Sequence, residues 1–260
     1  MEIPRNAFKR ALAEGGRVQP GFWISLGSAY AMEAVAGAGY DWLLLDGEHS
    51  PIETESTLAM LQAASGYPVS PVLRPAANDS VLIKRALDIG AQTLLVPFVE
   101  TAQEATAAVQ AMRYAPRGRR GVGGGTVRAT RFGRVADYAQ RCEEELCLLV
   151  QAETRRALDH LDEIAAVDGV DGVFIGPADL AADLGFPGQP NHPEVRSVIE
   201  DAIARIRASG KACGILAMDR EIALHYARLG CNFVAIGVDV VLLARGSERT
   251  LADFKTALGQ

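Results

Sequence analysis

Short apolar runs punctuate the chain at GFWISLG (21–27), YDWLLLD (40–46), PVSPVLRP (68–75), AQTLLVPF (91–98), ELCLLVQAE (145–153), DGVFIGP (171–177), ACGIL (212–216) and FVAIGV (233–238). Each is rich in Val, Ile and Leu and mostly continuous, where a strand with one wet face would alternate apolar and polar residues. Such continuity is expected of parallel strands covered on both faces. Between the runs lie stretches with helical spacing, at 29–38, 54–65, 80–89, 101–112, 155–167, 193–209 and 220–229. Strand then helix, eight times over, predicts an α/β protein folded as a (β/α)8 TIM barrel.

Glycines support that register. AGAGYD (36–41), DIGAQ (88–92), ASGKA (208–212) and RLGCN (228–232) each place one where a helix should end and a strand begin. A doubly wound open sheet is the competing arrangement, but its GxGxxG fingerprint is absent after the first strand. One segment breaks the rhythm: YAPRGRRGVGGGTVRATRFG (114–133) has little periodicity and reads as a long loop between the fourth and fifth strands. Its glycines are expected to let it fold over the barrel mouth, with Arg117, Arg119, Arg120 and Arg128 meeting an anionic substrate or a neighbouring chain. An ordinary solvated basic loop is equally open. After the last strand, residues 246–260 predict one extra helix of a kind that can pack on another subunit.

Composition narrows the setting without choosing the chemistry. The 260 residues are expected to form one barrel domain over 1–260, with 49% hydrophobic and 22% charged residues giving ordinary globular material. A net charge of -6 argues against nucleic acid or an anionic membrane as partner. The opening MEIPRNAFKRALAEGG lacks the apolar core of a signal peptide, so a cytoplasmic protein is expected. Cys142, Cys147, Cys213 and Cys231 lack metal-ligand spacing and are expected to be buried free thiols.

Active sites of such barrels form at the C-terminal ends of the strands, and ionisable residues collect there. The second strand runs into Asp46, Glu48 and His49, the third ends at Arg74, the fifth at Gln151 and Glu153, and the sixth enters Gly176, Pro177, Ala178 and Asp179. Glu153 and Asp179, on adjacent strands, suit a divalent cation with oxygen ligands, although each also sits where a helix cap is expected. In IGPADL (175–180), proline fits the first turn of a helix whose free amides at Ala178 and Asp179 would face a carboxylate. Arg74 suits either a structural ion pair or stabilisation of an oxyanion. His49 alone of the four histidines lies at a strand end, with Asp46 placed to orient it as a general base, a buried structural histidine being the other reading. If the strand persisted, alternation would turn Glu48 away from Asp46, which leaves Glu48 a structural or metal-water neighbour. Lys9, Lys84, Lys211 and Lys255 all fall away from strand C-termini, which excludes a Schiff-base lysine and leaves carbonyl activation to a metal.

Taken together, LLLDGEHSP, VLRPAANDSVLIKRALDIGAQTLLVPFVET, RYAPRGRRGVGG, LVQAET, GVDGVFIGPADLAADLG and AIGVDVVLLARG resemble the HpcH/HpaI aldolase family, the class II pyruvate aldolases, from about residue 23 to 245. The resemblance implies a hexamer of barrels that exchange their C-terminal helices. It implies cleavage of a 4-hydroxy-2-keto acid to pyruvate and an aldehyde, with the branch acting on 4-hydroxy-2-oxoheptane-1,7-dioate the most similar. By the same resemblance a divalent cation (Mg2+, Mn2+ or Co2+) sits on Glu153 and Asp179, with no nucleotide cofactor. His49 with Asp46 forms an acid–base dyad, Arg74 contacts the keto oxygen, and Gln151 lies near the metal. The Ala178 and Asp179 amides hold the pyruvate carboxylate, and Asp88 approaches the dyad of an adjacent subunit. Leu216 and residues 123–128 are candidates for the acceptor end of the substrate. Competing readings are a sugar-acid aldolase, an acyl-CoA lyase on the same barrel and a non-catalytic carboxylate-binding barrel.

Overall fold

A computed structural model describes residues 1–260. Its eight strands are β1 (Gln19–Ile24), β2 (Trp42–Asp46), β3 (Ser70–Arg74), β4 (Thr93–Val96), β5 (Cys147–Ala152), β6 (Gly172–Ile175), β7 (Ala212–Leu216) and β8 (Phe233–Val238). They pair in parallel, each with its sequence neighbours, and β8 closes on β1. The helices are α1 (Ala7–Glu14), α2 (Ala29–Ala36), α3 (Thr54–Ala64), α4 (Ser80–Asp88), α5 (Ala102–Met112) and α6 (Tyr138–Glu145), then α7 (Arg155–Asp159), α8 (Leu161–Ala166), α9 (Pro177–Asp183), α10 (Pro193–Ala208), α11 (Arg220–Leu229) and α12 (Asp239–Ala257). The expected (β/α)8 barrel is present. The predicted helix at 155–167 is broken at His160 into two short pieces.

Strand periodicity of two divides the apolar residues between two cores. Outward positions such as Leu43, Leu45, Val150, Val173 and Ile215 join the layer between barrel and helices. Inward positions, among them Trp23, Trp42, Leu44, Val72, Leu149, Phe174 and Phe233, fill the barrel itself. Large rings need small neighbours there: a Cβ on Gly21 would enter the Trp42 ring, and one on Gly214 the Phe233 ring. Phe8 of α1 closes the N-terminal end, with its ring 5.9 Å from that of Trp42 and 5.6 Å from that of Phe233.

The same alternation decides which polar residues face the axis. Trp42, Leu44 and Asp46 share the inward face of β2, and Asp46 is in register with Arg74 on β3. Cys147, Leu149, Gln151 and Glu153 continue one inward line, as do Phe174 and Gly176. At the last inward level, at the C-terminal mouth, polar groups replace apolar ones.

Two expectations are corrected. The 114–133 segment does not fold over the mouth: it joins α5 to α6 ahead of β5, and an αβ connection returns to the N-terminal end of the barrel. There Arg120 pairs with Asp88 at the end of α4 (2.9 Å) and Arg128 Nη1 donates to Ile89 O (2.8 Å). The C-terminal helix is also longer than predicted, because α12 starts at Asp239 directly after β8. The four cysteines are free and buried.

Candidate active site

Arg74 sits at the centre of the mouth, 4% exposed. Its Nε and Nη2 donate to Asp46 Oδ1 and Oδ2 at 2.9 and 2.8 Å, a two-pronged pairing that fixes the guanidinium plane. The Trp23 indole lies under that plane, 5.0 Å from ring centroid to Cζ, and its Nε1 donates to Asp46 Oδ2 at 3.0 Å. Trp23 was not singled out by sequence reasoning; the available signal was an indole N–H on the last inward position of β1. Arg74 Nη1 lies 2.7 Å from Glu48 Oε2, but off the N–H direction, so that buried oxygen has no hydrogen bond.

The Asp46–His49 dyad is not assembled through side chains within one chain. The strand ends at Asp46 and the backbone turns, with the amides of Glu48 and His49 donating to Asp46 Oδ1 at 3.0 and 3.2 Å. Both Asp46 oxygens are thus occupied by Arg74, Trp23 and the turn. The His49 imidazole is 60% exposed, and its nearest acid is Glu48, 3.9 Å away. Alternation therefore does not govern Glu48: once the strand stops, its side chain folds back onto Arg74. The other three histidines pair or stack elsewhere, with Glu163, Phe186 and Glu200.

Glu153, 1% exposed, follows β5. Its Oε1 accepts from the amide of Phe98 at 2.8 Å, and its Oε2 accepts from Gln151 Nε2. Phe98 reaches this position with a left-handed backbone, φ 49°. Burial, reinforced by the charges of Glu48 and Asp179, pushes the Glu153 carboxyl up to about 7 against the opposing Phe98 amide and Arg74. Burial likewise raises Glu48, with Asp46 and Asp179 adding to the shift and Arg74 and His49 opposing it. Asp46 moves the other way: burial would raise it, but hydrogen bonds and charge from Arg74, with help from Trp23 and the Glu48 amide, hold it below the usual carboxylate range.

Pro177 opens α9, and the first intrahelical bond runs from Leu180 N to Gly176 O at 3.1 Å. The amides of Ala178 and Asp179 precede it and donate to nothing in the chain. Gly176 has an ordinary φ of -92°, but a Cβ there would lie 2.7 Å from Glu153 Cβ and 2.8 Å from Gln151 Nε2. Leu216, half-buried, borders the inner core at the end of β7. Asp88 does not join this group in its own chain, because it ends α4 at the opposite end of the barrel and binds Arg120.

These residues fit a divalent cation. Of four neighbouring carboxylates, only Asp46 and Glu48 lie against the single guanidinium of Arg74, leaving Glu153 and Asp179 without a cation. Glu48 Oε2 is buried without a hydrogen bond, and the half-buried Asp179 carboxylate has no partner at all. No three acidic, histidine or cysteine side chains close a cage by themselves, which suits a cation that keeps positions for water and substrate oxygens.

A family model described as HpcH/HpaI aldolase/citrate lyase matches residues 19–246. A pyruvate aldolase of Rhizobium etli is 59% identical over 256 residues, covering 98% of this chain and 100% of that protein. A 4-hydroxy-2-oxo-heptane-1,7-dioate aldolase of Klebsiella pneumoniae subsp. pneumoniae is 56% identical over 249 residues, 96% of this chain and 94% of its own length. Among solved structures, an HpcH/HpaI aldolase/citrate lyase family protein from Burkholderia cenocepacia J2315 superposes with a TM-score of 0.92 at 40% identity, covering 96% of this chain and 99% of that one.

Proposed function

The chain belongs to the HpcH/HpaI aldolase/citrate lyase family and is an aldolase, a carbon–carbon lyase; from that premise we propose that it cleaves 4-hydroxy-2-oxoheptane-1,7-dioate reversibly to pyruvate and succinic semialdehyde. The Klebsiella relative is named for that keto acid and the Rhizobium relative for pyruvate. The observation that carries the reading is Arg74, a fixed guanidinium at the last inward level of the barrel, beside carboxylates with uncompensated charge. Such a donor suits an oxygen that gains charge during reaction.

Glu153 and Asp179 are the residues proposed to hold Mg2+, Mn2+ or Co2+, which when bound supplies Lewis-acid polarisation of the keto group. The unpartnered amides of Ala178 and Asp179 receive the substrate carboxylate, with Gly176 leaving room for it. Arg74 Nη1, 3.5 Å from Gln151 Oε1 and misaligned with Glu48, is the donor free to turn to the keto oxygen. His49, the exposed imidazole at the mouth, takes the proton of the 4-hydroxyl, and Glu48 stabilises the imidazolium formed. As C3–C4 breaks, its electron pair passes into the C2–C3 bond and charge develops on the keto oxygen beside Arg74. Proton return to C3 completes pyruvate. Asp46 acts here as the anchor of Arg74, a role the contacts support better than that of partner to His49. Leu216 borders the acceptor end. Asp88 is proposed to reach the site of an adjacent subunit, in a hexamer whose α12 helices are exchanged.

The test is a panel of 4-hydroxy-2-keto acids assayed for pyruvate release with each of the three metals. Turnover of the heptanedioate that stops on chelation and returns with metal is expected. Preference for a sugar-derived 3-deoxy acid would change the substrate; absence of pyruvate release from every member would overturn the reading.

A further inference from the structure

A cavity of about 440 Å³ lies at the opposite end of the barrel from Arg74. The starts of β3 and β4 form its floor, and the N-terminal segment around Arg5 and the Arg128–Arg131 turn form its walls. Among its 20 lining residues are three arginines, Arg5, Arg128 and Arg131, and no Asp, Glu, Lys or His. That concentration of positive charge stands out on a chain of net charge -6.

The pairing pattern of the arginines is more telling. Every other buried or half-buried arginine has an acidic partner: Arg74 has Asp46, Arg113 has Glu143, Arg120 has Asp88, Arg141 has Asp137, Arg196 has Glu200 and Arg205 has Asp162. Arg128 and Arg131 are the half-buried exceptions, and both line this one cavity. Arg128 spends one N–H on Ile89 O at 2.8 Å, and Arg131 spends none of its side-chain donors. Burial, and then the charge of Arg131, lower the affinity of Arg128 for its proton. Two half-buried guanidinium groups lining one space without a counter-charge repel one another, and each has unspent donors suited to planar oxyanions.

We propose that this cavity is a binding site for a small organic anion carrying two or more negative charges, phosphate ester or polycarboxylate, clasped by Arg128 and Arg131 with Arg5 at the rim. Its volume suits a compact metabolite. An anion there would tie the 114–133 segment to the N-terminal segment, at the end of its own barrel opposite the catalytic mouth. The proposal is independent of the substrate assigned above.

Calorimetric titration of the magnesium-loaded, pyruvate-saturated enzyme with inorganic phosphate, and separately with citrate, at constant ionic strength, tests it. Saturable binding of at least one is expected, the two arms telling phosphate from polycarboxylate preference. Affinity should fall roughly tenfold or more in Arg128→Gln/Arg131→Gln, the loss of a charge-assisted contact. The single change Arg131→Gln serves where the double variant folds poorly. The Arg74→Lys variant, altered only at the mouth, should bind both anions as the parent does. Binding that survives in the arginine-loop variants, or disappears in Arg74→Lys, would overturn the proposal. So would failure of both anions to bind together with a change of particle mass in Arg128→Gln/Arg131→Gln, which would assign the arginines to an acidic surface of a second subunit.

Discussion

At Arg74, charge and geometry can be separated by substitution. Removing the side chain strands Asp46 and Glu48 as buried carboxylates, a loss of about 3–5 kcal/mol, so Arg74→Ala confounds catalysis with folding. Arg74→Lys keeps the charge but not the two-pronged plane set by Asp46 and Trp23. Its kcat is expected to fall roughly 100- to 1000-fold, with a small change in melting temperature; near-normal kcat would remove Arg74 from the mechanism. Glu153 makes a prediction of its own. Its folded-state pKa of about 7 lies above the ordinary glutamate value of 4.5, so the folded protein keeps a proton that the unfolded chain has lost across that window. Metal-free protein should therefore be more stable below the window and lose about 3 kcal/mol as pH rises through it. Metal must displace the same proton, so affinity should climb with pH and level off above about 7, with proton release near one per metal at about pH 6. Thermal melts and calorimetry in buffers of different ionisation enthalpy measure both. Glu153→Gln should flatten the pH slope of the melts; an unchanged slope in that variant rules Glu153 out as its origin.

Elements carry the next level of constraint, and they separate what was legible in the sequence from what was not. Continuous apolar runs followed by glycine-terminated helices announced all eight strands because both barrel faces are dry. The residues at the strand ends, Asp46, Arg74, Gln151 and Glu153, could be placed at one mouth for the same reason. Side-chain direction beyond a strand end was not legible: after Asp46 the turn, not the pleat, decides that Glu48 faces Arg74 and His49 faces solvent. Nor did arginine and glycine content say to which end of the barrel the 114–133 loop belongs, although its place between a helix and the next strand did. The β5–β6 register makes a further prediction. It sets Gly176 against Glu153, where the limit on side-chain size is steric and not conformational. Gly176→Ala should leave the circular dichroism spectrum unchanged while weakening manganese binding by roughly 10- to 100-fold, the range for residues that support a ligand. Titration of the variant with manganese tests this, and unchanged affinity would mean that Glu153 is not a ligand in this pose.

At the scale of the molecule, the barrel is missing a cover and α12 is missing a surface. The helix is 19 residues long, yet only Asp239 in it is buried. That residue holds the β1 exit loop, accepting from the amides of Ser25 and Leu26 at 2.8 and 3.1 Å. Beyond it Leu243 (62% exposed), Leu251 (56%), Phe254 (63%) and Leu258 (57%) recur at helical spacing along one stripe. A solitary helix of this length is marginal in water, and its stability has to come from packing of such a stripe. The outer face of β8 is correspondingly bare toward its C-terminal end, with Ile236 44% exposed although Val234 before it is buried. A second copy supplying its own α12 would satisfy both surfaces at once, and reciprocal exchange would satisfy them in each subunit. An oligomer is therefore expected in light scattering, of six chains in the assembly proposed above. Leu251→Glu/Phe254→Glu, which buries charge in the exchanged contact while leaving every barrel residue in place, should yield smaller particles with weakened pyruvate release, because Asp88 could no longer reach a neighbouring mouth. A hexamer of unchanged mass in that variant would show that α12 is not exchanged; smaller particles with full activity would instead free the catalytic site from any dependence on Asp88.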